Sequence, residues 1–323
     1  MGERRALFIV NPVARHFPGW HRLREAARPL QRAGWRLVWE QTQGPHHATA
    51  LAQEAAREGM EAVFVCGGDG TLREAACGLV DTPTALAFVP MGTVNVWARQ
   101  LRIPLRLERA VALALEGQRR LVDVGRADGH YFLLMAGMGL DAQVARTVNL
   151  ALKRWTGASA YALAALRETL AWRGRHVIIR ADGQEVRGCA LMVVVGNVRN
   201  YAGLVEVTPR ARLDDALLDV CVFLGRGVTD TALHTLRVAF RRHLHSPKVV
   251  YLQARAVEVE WAEPTPCHVD GDPLGITPTR LEAVPQALWV VLPAGLRTPL
   301  LGDSGLGDGG PGDGGHYALG HHI

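Results

Sequence analysis

Four short apolar runs, Ala6–Val10, Arg36–Glu40, Ala62–Cys66 and Ala85–Val89, recur through the first third of the chain. Helical patterns separate and follow them, near residues 20–33, 46–58, 71–80, 94–101 and 107–117. Runs this short, alternating with amphipathic helices, leave few options: a parallel sheet with helices packed on its faces. Gly34, Gly44, Gly59 and Pro83 fall between the elements, where turns are expected.

Past Asp123 the rhythm changes. Tyr131–Met135, Val177–Arg180, Leu191–Val195, Leu218–Leu224, Val249–Gln253 and Val257–Trp261 are β-rich and mostly joined by turns. Asp182-Gly183 between two apolar runs is a hairpin signal. Helical insertions are expected near 158–173 and 229–244. The expected fold is therefore an α/β nucleotide-binding domain over 1–122 followed by a mainly antiparallel β domain over 123–286. The strand near 287–297 could complete either domain, and the Gly/Asp-rich stretch 298–323 reads as a disordered tail.

Several classes drop out. No apolar stretch approaches the roughly 18 residues of a membrane span, and the apolar run before Asn11-Pro12 is too short for a signal-peptide core. The 5 cysteines, Cys66, Cys77, Cys189, Cys221 and Cys267, form no C-x-x-C pair and are odd in number. A reducing cytoplasm is the expectation. The formal charge is +5, and three of the acidic residues, Asp303, Asp308 and Asp313, lie in the tail, so the body is more basic than the total. Such a surface suits anionic ligands and membranes. No helix-turn-helix or zinc pattern accompanies it, so no nucleic-acid partner is expected.

Gly67-Gly68-Asp69-Gly70-Thr71 is the most informative segment. A buried-looking strand runs into glycines that let backbone approach a ligand, and the N–H groups of the next helix attract anions. Thr71 adds a hydroxyl. Asp69 would repel a phosphate unless a cation lay between them, which points to Mg²⁺. The segment is not a Walker A loop, since G-x-x-x-x-G-K-[ST] is absent. Gly137-Met-Gly139-Leu-Asp-Ala142 matches a dinucleotide fingerprint, but no acidic residue follows at ribose distance. A second turn, Gly92-Thr93-Val94-Asn95, comes one strand after the first. Asn95 sits near a helix start, and both turns would lie at the carboxyl ends of one sheet, where α/β ligands bind.

These two turns resemble those of the diacylglycerol kinase catalytic family, and in particular its bacterial soluble lipid kinases, with sphingosine and ceramide kinases as relatives. Further matching segments are Asn11-Pro12, Leu121-Val-Asp123-Val-Gly125, Gly137–Ala142, Tyr201-Ala202-Gly203, Arg212–Val220 and Val269-Asp270-Gly271-Asp272. Their order and spacing carry the assignment across nearly the whole chain before the tail. NAD kinases share the first loop but generally not the later series.

The resemblance implies a two-domain lipid-kinase or NAD-kinase-like architecture with ATP bound between the domains and its γ-phosphoryl passed to a lipid hydroxyl. Asn11, Thr42, the loop Gly67–Arg73 and Thr93 match ATP-contacting positions; taken alone, Thr42 would read as a solvated loop residue. Asp270 matches the family's general base, although by itself Asp270-Gly271 would read as a hairpin turn. Arg212 and Leu217 through their backbone, Asp215 through its carboxylate and Asp123 through water match a Mg²⁺ site; without the resemblance Asp214-Asp215 could be a solvated turn. Three positions depart from the family pattern: Val13-Ala14-Arg15 follows Asn11-Pro12, Val96 stands where some relatives are acidic, and Ala216 stands where glycine is usual.

A lipid kinase needs a membrane surface. The stretch Thr231–His245 places Leu233, Leu236, Phe240 and Leu244 on one face and His234, Arg237, Arg241 and His245 on another. Packing of the apolar face on the β domain, with the basic face solvated, is the plainer expectation. Lys153-Arg154-Trp155 with the Ala158–Trp172 helix is a second membrane candidate. The expected location is the cytoplasm, peripheral at the inner membrane surface, and a homodimer is left open. An NAD kinase and a catalytically silent nucleotide- or lipid-binding regulator remain as alternatives.

Overall fold

The computed structural model describes residues 3–145, 169–201, 203, 205–277 and 280–302. The four apolar runs form parallel strands β1 (Arg4–Val10), β2 (Trp35–Gln41), β3 (Ala62–Gly67) and β4 (Ala85–Pro90), in the order β2-β1-β3-β4. β3 and β4 are buried along their whole length, which is why each reads as an unbroken apolar run rather than an alternating one. Helices α1 (Trp20–Arg32), α2 (His47–Arg57), α3 (Asp69–Leu79), α4 (Val96–Gln100) and α5 (Leu107–Glu116) follow or connect them. The chain steps outward from β1 to β2, then returns to place β3 on the other side of β1. That reversal opens a crevice at the carboxyl ends of β1 and β3.

Strands β5 (Gln118–Ala127), β6 (His130–Phe132), β7 (Met135–Gly139), β8 (Arg175–Ala181) and β9 (Gln184–Gly196) begin the second half. β10 (Asn200–Tyr201) and β11 (Val205–Glu206) form a small separate ribbon. Then come β12 (Leu218–Leu224), α6 (Val228–Ala239), β13 (Val249–Ala254), β14 (Ala256–Trp261), β15 (Pro266–Val269), β16 (Asp272–Ile276) and β17 (Arg280–Leu292). These strands pair antiparallel in the order β16-β15-β7-β9-β8-β14-β17, with β12 and β13 branching from β9. The β8–β9 hairpin turns at Asp182-Gly183, both at positive φ (44° and 85°), as a two-residue primed turn requires.

β17 belongs to both halves. Its start, Arg280–Glu282, pairs with β14, while Val290 pairs in parallel with Leu86 of β4. β5 runs antiparallel beside it, with an irregularity between Val284 and Leu288, where Pro285 cannot donate to the ladder. The boundary expected at 122/123 falls inside β5, which continues through both halves. One apolar core centres on β1–β4 and their helices, and a second lies within the antiparallel strands.

Three expectations change. Tyr131–Met135 is not one strand: Leu133-Leu134 break it into β6 and β7. Residues 298–302, expected as tail, are packed: Leu300 is buried, and Leu213 N–H donates to its carbonyl at 2.8 Å. α6 packs the other way round. His234 is buried, its ring edge-on to Phe223 and its Nε2 2.8 Å from Leu224 O, whereas Leu233, Leu236 and Phe240 face solvent. Lys153-Arg154-Trp155 and most of the expected helix near 158–173 lie outside the described residues. Among the described residues no helix is long and apolar enough to cross a membrane.

Candidate active site

The glycine loop leaves the carboxyl end of β3, and α3 starts at Asp69, two residues before the helix start read from sequence. The N–H groups of the first helical turn have no intrahelical acceptor, which makes this helix start an anion site in the making. Thr71 is held by Asn11, whose Nδ2 donates to its Oγ1 at 3.0 Å, and Asn11 Oδ1 accepts Val13 N–H at 3.1 Å. Gly70 is exposed and its missing side chain faces open space. Thr42 follows β2, and its N–H donates to Val10 O at 2.9 Å, beside Asn11. The loops after β1, β2 and β3 therefore converge.

The turn after β4 lies directly against the glycine loop. A Cβ on Gly92 would come within 2.7 Å of Gly68 Cα, so the two backbones meet with no room for a side chain on Gly92. Met91 N–H donates to Gly67 O at 2.7 Å, which fixes the approach. Thr93 is exposed at the rim. The side chain of Asn95, expected among the ATP contacts, is engaged within its own turn. Its Oδ1 accepts Gly92 N–H and its Nδ2 donates to Gly92 O, both at 2.9 Å, so its side chain shapes the turn.

Asp69 also departs from expectation. Its two oxygens accept the N–H groups of Val96 (3.0 Å) and Trp97 (3.2 Å), at the start of α4. The carboxylate thus caps the helix of the second turn and ties both loops together, which explains an acid inside a phosphate-type loop without an intervening cation. Burial raises its pKa, against the pull of those N–H donors.

Across the crevice, Asp270 occupies the β15–β16 turn at φ 50°. Its Oδ2 accepts Leu133 N–H at 2.7 Å, and its Oδ1 accepts the N–H groups of Leu134 (2.8 Å) and Met135 (2.9 Å). These are the groups freed where the β6–β7 run breaks, so the break is the seat of this carboxylate. Burial pushes its pKa up to about 6, opposed by the three N–H donors and by Arg73. A carboxylate so poised can take a proton near neutral pH.

Behind Asp270 lies a buried polar relay whose members the sequence did not bring together. Asp141 accepts from Tyr201 OH and, at 2.8 Å, pairs with His268 Nε2. Gly271 N–H donates to His268 Nδ1 at 3.1 Å, which leaves the proton on Nε2. Gly137 makes room: a Cβ there would stand 1.7 Å from Asp141 Oδ2 and 2.4 Å from His268 Nε2. The glycine pattern Gly137–Ala142 therefore serves this pair and not a dinucleotide.

One ion pair joins the two sides. Arg73 on α3 reaches Asp272 at 2.5 Å, with the Arg73 side chain only 11% exposed. The helix that opens the phosphate loop is thus fastened to the strand that follows Asp270. Val94 of the second turn also lies against Gly203, where a Cβ would come within 2.8 Å.

The expected metal positions come together elsewhere. Asp123 accepts Gln286 N–H and Ala216 N–H, each at 2.7 Å, which seats the 212–217 loop on the irregular stretch of β17. Asp215 Oδ1 accepts Leu217 N–H at 3.1 Å, and Asp214 is engaged by Arg212 and by Gly302 N–H. Burial raises the pKa of Asp123 and Asp215, and neighbouring carboxylates add to it. An all-oxygen, electron-rich set of this kind fits a hard divalent cation. Among the described residues no cluster of three or more His, Cys, Asp or Glu side chains could hold a metal alone, so backbone and water oxygens would complete it.

Beside Asp141 opens an apolar cavity of about 300 Å³. Leu191, Val194, Val207, Phe223 and Val238 line it, and Asp141 and Tyr201 form a polar end. α6 forms one wall through Thr231, His234, Thr235 and Val238.

Two family profiles match in tandem. The diacylglycerol kinase catalytic domain covers residues 5–127, and the YegS C-terminal NAD kinase beta sandwich-like domain covers residues 135–292. The chain is 30% identical over 298 residues to a diacylglycerol kinase of Staphylococcus carnosus (strain TM300), spanning 91% of this chain and 97% of that one. A diacylglycerol kinase of Staphylococcus aureus (strain bovine RF122 / ET3-1) is 29% identical over 273 residues, 84% of this chain and 86% of the relative. A crystal structure from Bacillus anthracis str. Sterne, of a protein provisionally named a diacylglycerol kinase, superposes with a TM-score of 0.76 at 26% identity. It covers 91% of this chain and 99% of the other.

Proposed function

Because the chain belongs to the diacylglycerol kinase catalytic-domain family, we propose that it passes the γ-phosphoryl group of ATP to the hydroxyl of a diacylglycerol-like or sphingoid lipid, with Mg²⁺. The observation that carries this reading is the Arg73–Asp272 pair, which sets an anion-binding helix start against the carboxylate turn at Asp270. Phosphoryl transfer asks for little else: alignment of donor and acceptor, charge neutralisation, and a group that takes the hydroxyl proton.

In this reading the N–H groups at the start of α3, with Thr71 and Thr93, hold the phosphates, and Asn11 orients Thr71. The lipid chain lies in the apolar cavity and presents its hydroxyl at the Asp141–Tyr201 end. Asp270 accepts the hydroxyl proton as the oxygen bonds to the γ-phosphorus and the bond to ADP breaks. Arg73 fastens the two sides. Asp215, with the backbone oxygens of Arg212 and Leu217 and Asp123 through water, would hold a Mg²⁺ ion. Bound Mg²⁺ supplies structural charge neutralisation between the halves. An apolar cavity with a single polar end suits a lipid better than the second nucleotide an NAD kinase must hold.

The test is release of ADP with a panel of lipid hydroxyls, wild type against Asp270→Asn. We expect lipid-dependent turnover to fall by about 10²–10⁴-fold in the variant. In wild type, kcat should drop as pH falls through about 6, because Asp270 is then protonated and cannot accept. That acidic limb should be missing from the residual activity of Asp270→Asn. Unchanged turnover in the variant would remove Asp270 as base, and NADP formation without lipid would make the enzyme an NAD kinase.

A further inference from the structure

The hairpin turn that carries Asp270 is tied down residue by residue. Val269 pairs with Asp272, which leaves Asp270 and Gly271 as the two central residues, at φ 50° and 87°. An Asp-Gly pair suits such a turn without outside help. Yet each of the three residues 270–272 has a partner beyond the turn. Asp270 is held through its carboxylate by the N–H groups of Leu133, Leu134 and Met135, and its own N–H donates to Met135 O at 2.8 Å. Asp272 is held by Arg73. The Gly271 N–H, to which the hairpin ladder offers no acceptor, donates to His268 Nδ1 at 3.1 Å.

Both nitrogens of His268 are therefore in use. The ring is buried, and its Nε2 pairs at 2.8 Å with Asp141, which is buried as well. An ionised carboxylate can only accept, so Asp141 draws the ring proton to Nε2 and leaves the Nδ1 lone pair for the backbone. Asp141 is itself held by Tyr201 OH. The register of β15 on β16 shifts between Cys267 and His268, and irregularities of this kind re-aim a side chain beside a site. A histidine kept only to neutralise Asp141 would need one nitrogen. The second goes to the residue next to Asp270.

We propose that His268 is a positioning residue for Asp270: Asp141 fixes its tautomer, and its Nδ1 holds the turn at Gly271 so that the Asp270 carboxylate stays seated on the N–H groups of Leu133, Leu134 and Met135. The kinetic consequence rests on the lipid-kinase reading; the seating of the turn does not.

Two amide substitutions separate the two nitrogens. His268→Asn puts an amide oxygen near the place of Nδ1, able to accept from Gly271, whereas His268→Gln puts an amide nitrogen near the place of Nε2, able to donate to Asp141. With ATP and a short-chain, water-dispersed diacylglycerol, His268→Gln should lower kcat by about 10–100-fold and leave the KM for ATP unchanged. Its acidic limb should move upward from about 6, because a carboxylate that loses N–H donors is protonated more readily. His268→Asn should keep kcat within about fivefold of wild type, with the limb in place. Amide hydrogen exchange reads the seat without any substrate. Leu133, Leu134 and Met135 should exchange at least about tenfold faster in His268→Gln than in wild type or His268→Asn. Nitrogen NMR of the wild-type ring should show the proton on Nε2 and none on Nδ1. The opposite tautomer, or a doubly protonated ring at neutral pH, would overturn the proposal whether or not either variant folds. So would equal losses of activity in both variants with an unmoved acidic limb, the pattern of a histidine that only fills space. If no lipid is phosphorylated but exchange and tautomer follow the pattern above, the positioning of the turn stands and the kinase reading falls.

Discussion

Ala216 shows how much can turn on a single backbone angle. It sits at φ 58° between Asp215 and Leu217, and its N–H donates to the buried Asp123. A left-handed conformation costs a residue with a Cβ about 1–2 kcal/mol relative to glycine. Ala216→Gly should therefore stabilise the protein by about 1 kcal/mol, a rise of about 2 °C in melting temperature by thermal denaturation. An unchanged or lower midpoint would mean that the loop is not strained there. The residue-level reading was strongest on identity and weakest on direction. Asp69 and Asn95 were singled out from their patterns, and Asp270 from the family resemblance. That the lone pairs of Asp69 go to the start of α4, and the Asn95 amide to Gly92, follows from where two loops meet in space, which no local spacing encodes. Asp141 and Tyr201 stood in segments read as significant, yet Asp141 meets Tyr201 across 60 residues of chain and His268 across 127, separations that no local pattern reports.

The two phosphate-facing turns act as one element because glycine meets glycine between them. Adding a methyl at Gly92 would force 2.7 Å contacts on both Gly68 Cα and Asn95 Oδ1. Gly92→Ala should separate the turns and raise the KM for ATP by about tenfold or more, with a smaller effect on kcat, while near-native circular dichroism persists. Steady-state kinetics at saturating lipid would read this directly, and an unchanged KM would detach Gly92 from nucleotide binding. The elements most legible in advance were those buried on both faces, β1, β3 and β4, whose runs permit no other reading. The β-like segments either side of Asp270 were given no bounds, because Pro266, Pro273 and Gly275 interrupt any alternation. α6 was found with the right stripe, but its apolar side faces outward. Periodicity reports that a helix has two faces; it does not report which one the rest of the molecule covers.

At the scale of the whole molecule, the shared strands β5 and β17 join what the sequence presented as two successive domains. The ladder continues from the parallel sheet into the antiparallel strands, and Arg73–Asp272 bridges the crevice on the ligand side. Such a body should melt as a unit. Calorimetry should show one transition whose calorimetric and van't Hoff enthalpies agree, and a non-hydrolysable ATP analogue should shift all of it upward. Two resolved transitions, only one moved by the nucleotide, would show that the halves are energetically separate. The shared strand also sets an order of assembly. The open edge of β4 is closed by residues near Val290, so during synthesis the N-terminal sheet has emerged long before the strand that finishes it. A nascent chain of the first half alone therefore carries an unpaired, fully apolar strand edge until the residues near Val290 leave the ribosome. The growing chain must be kept from other strands throughout that interval.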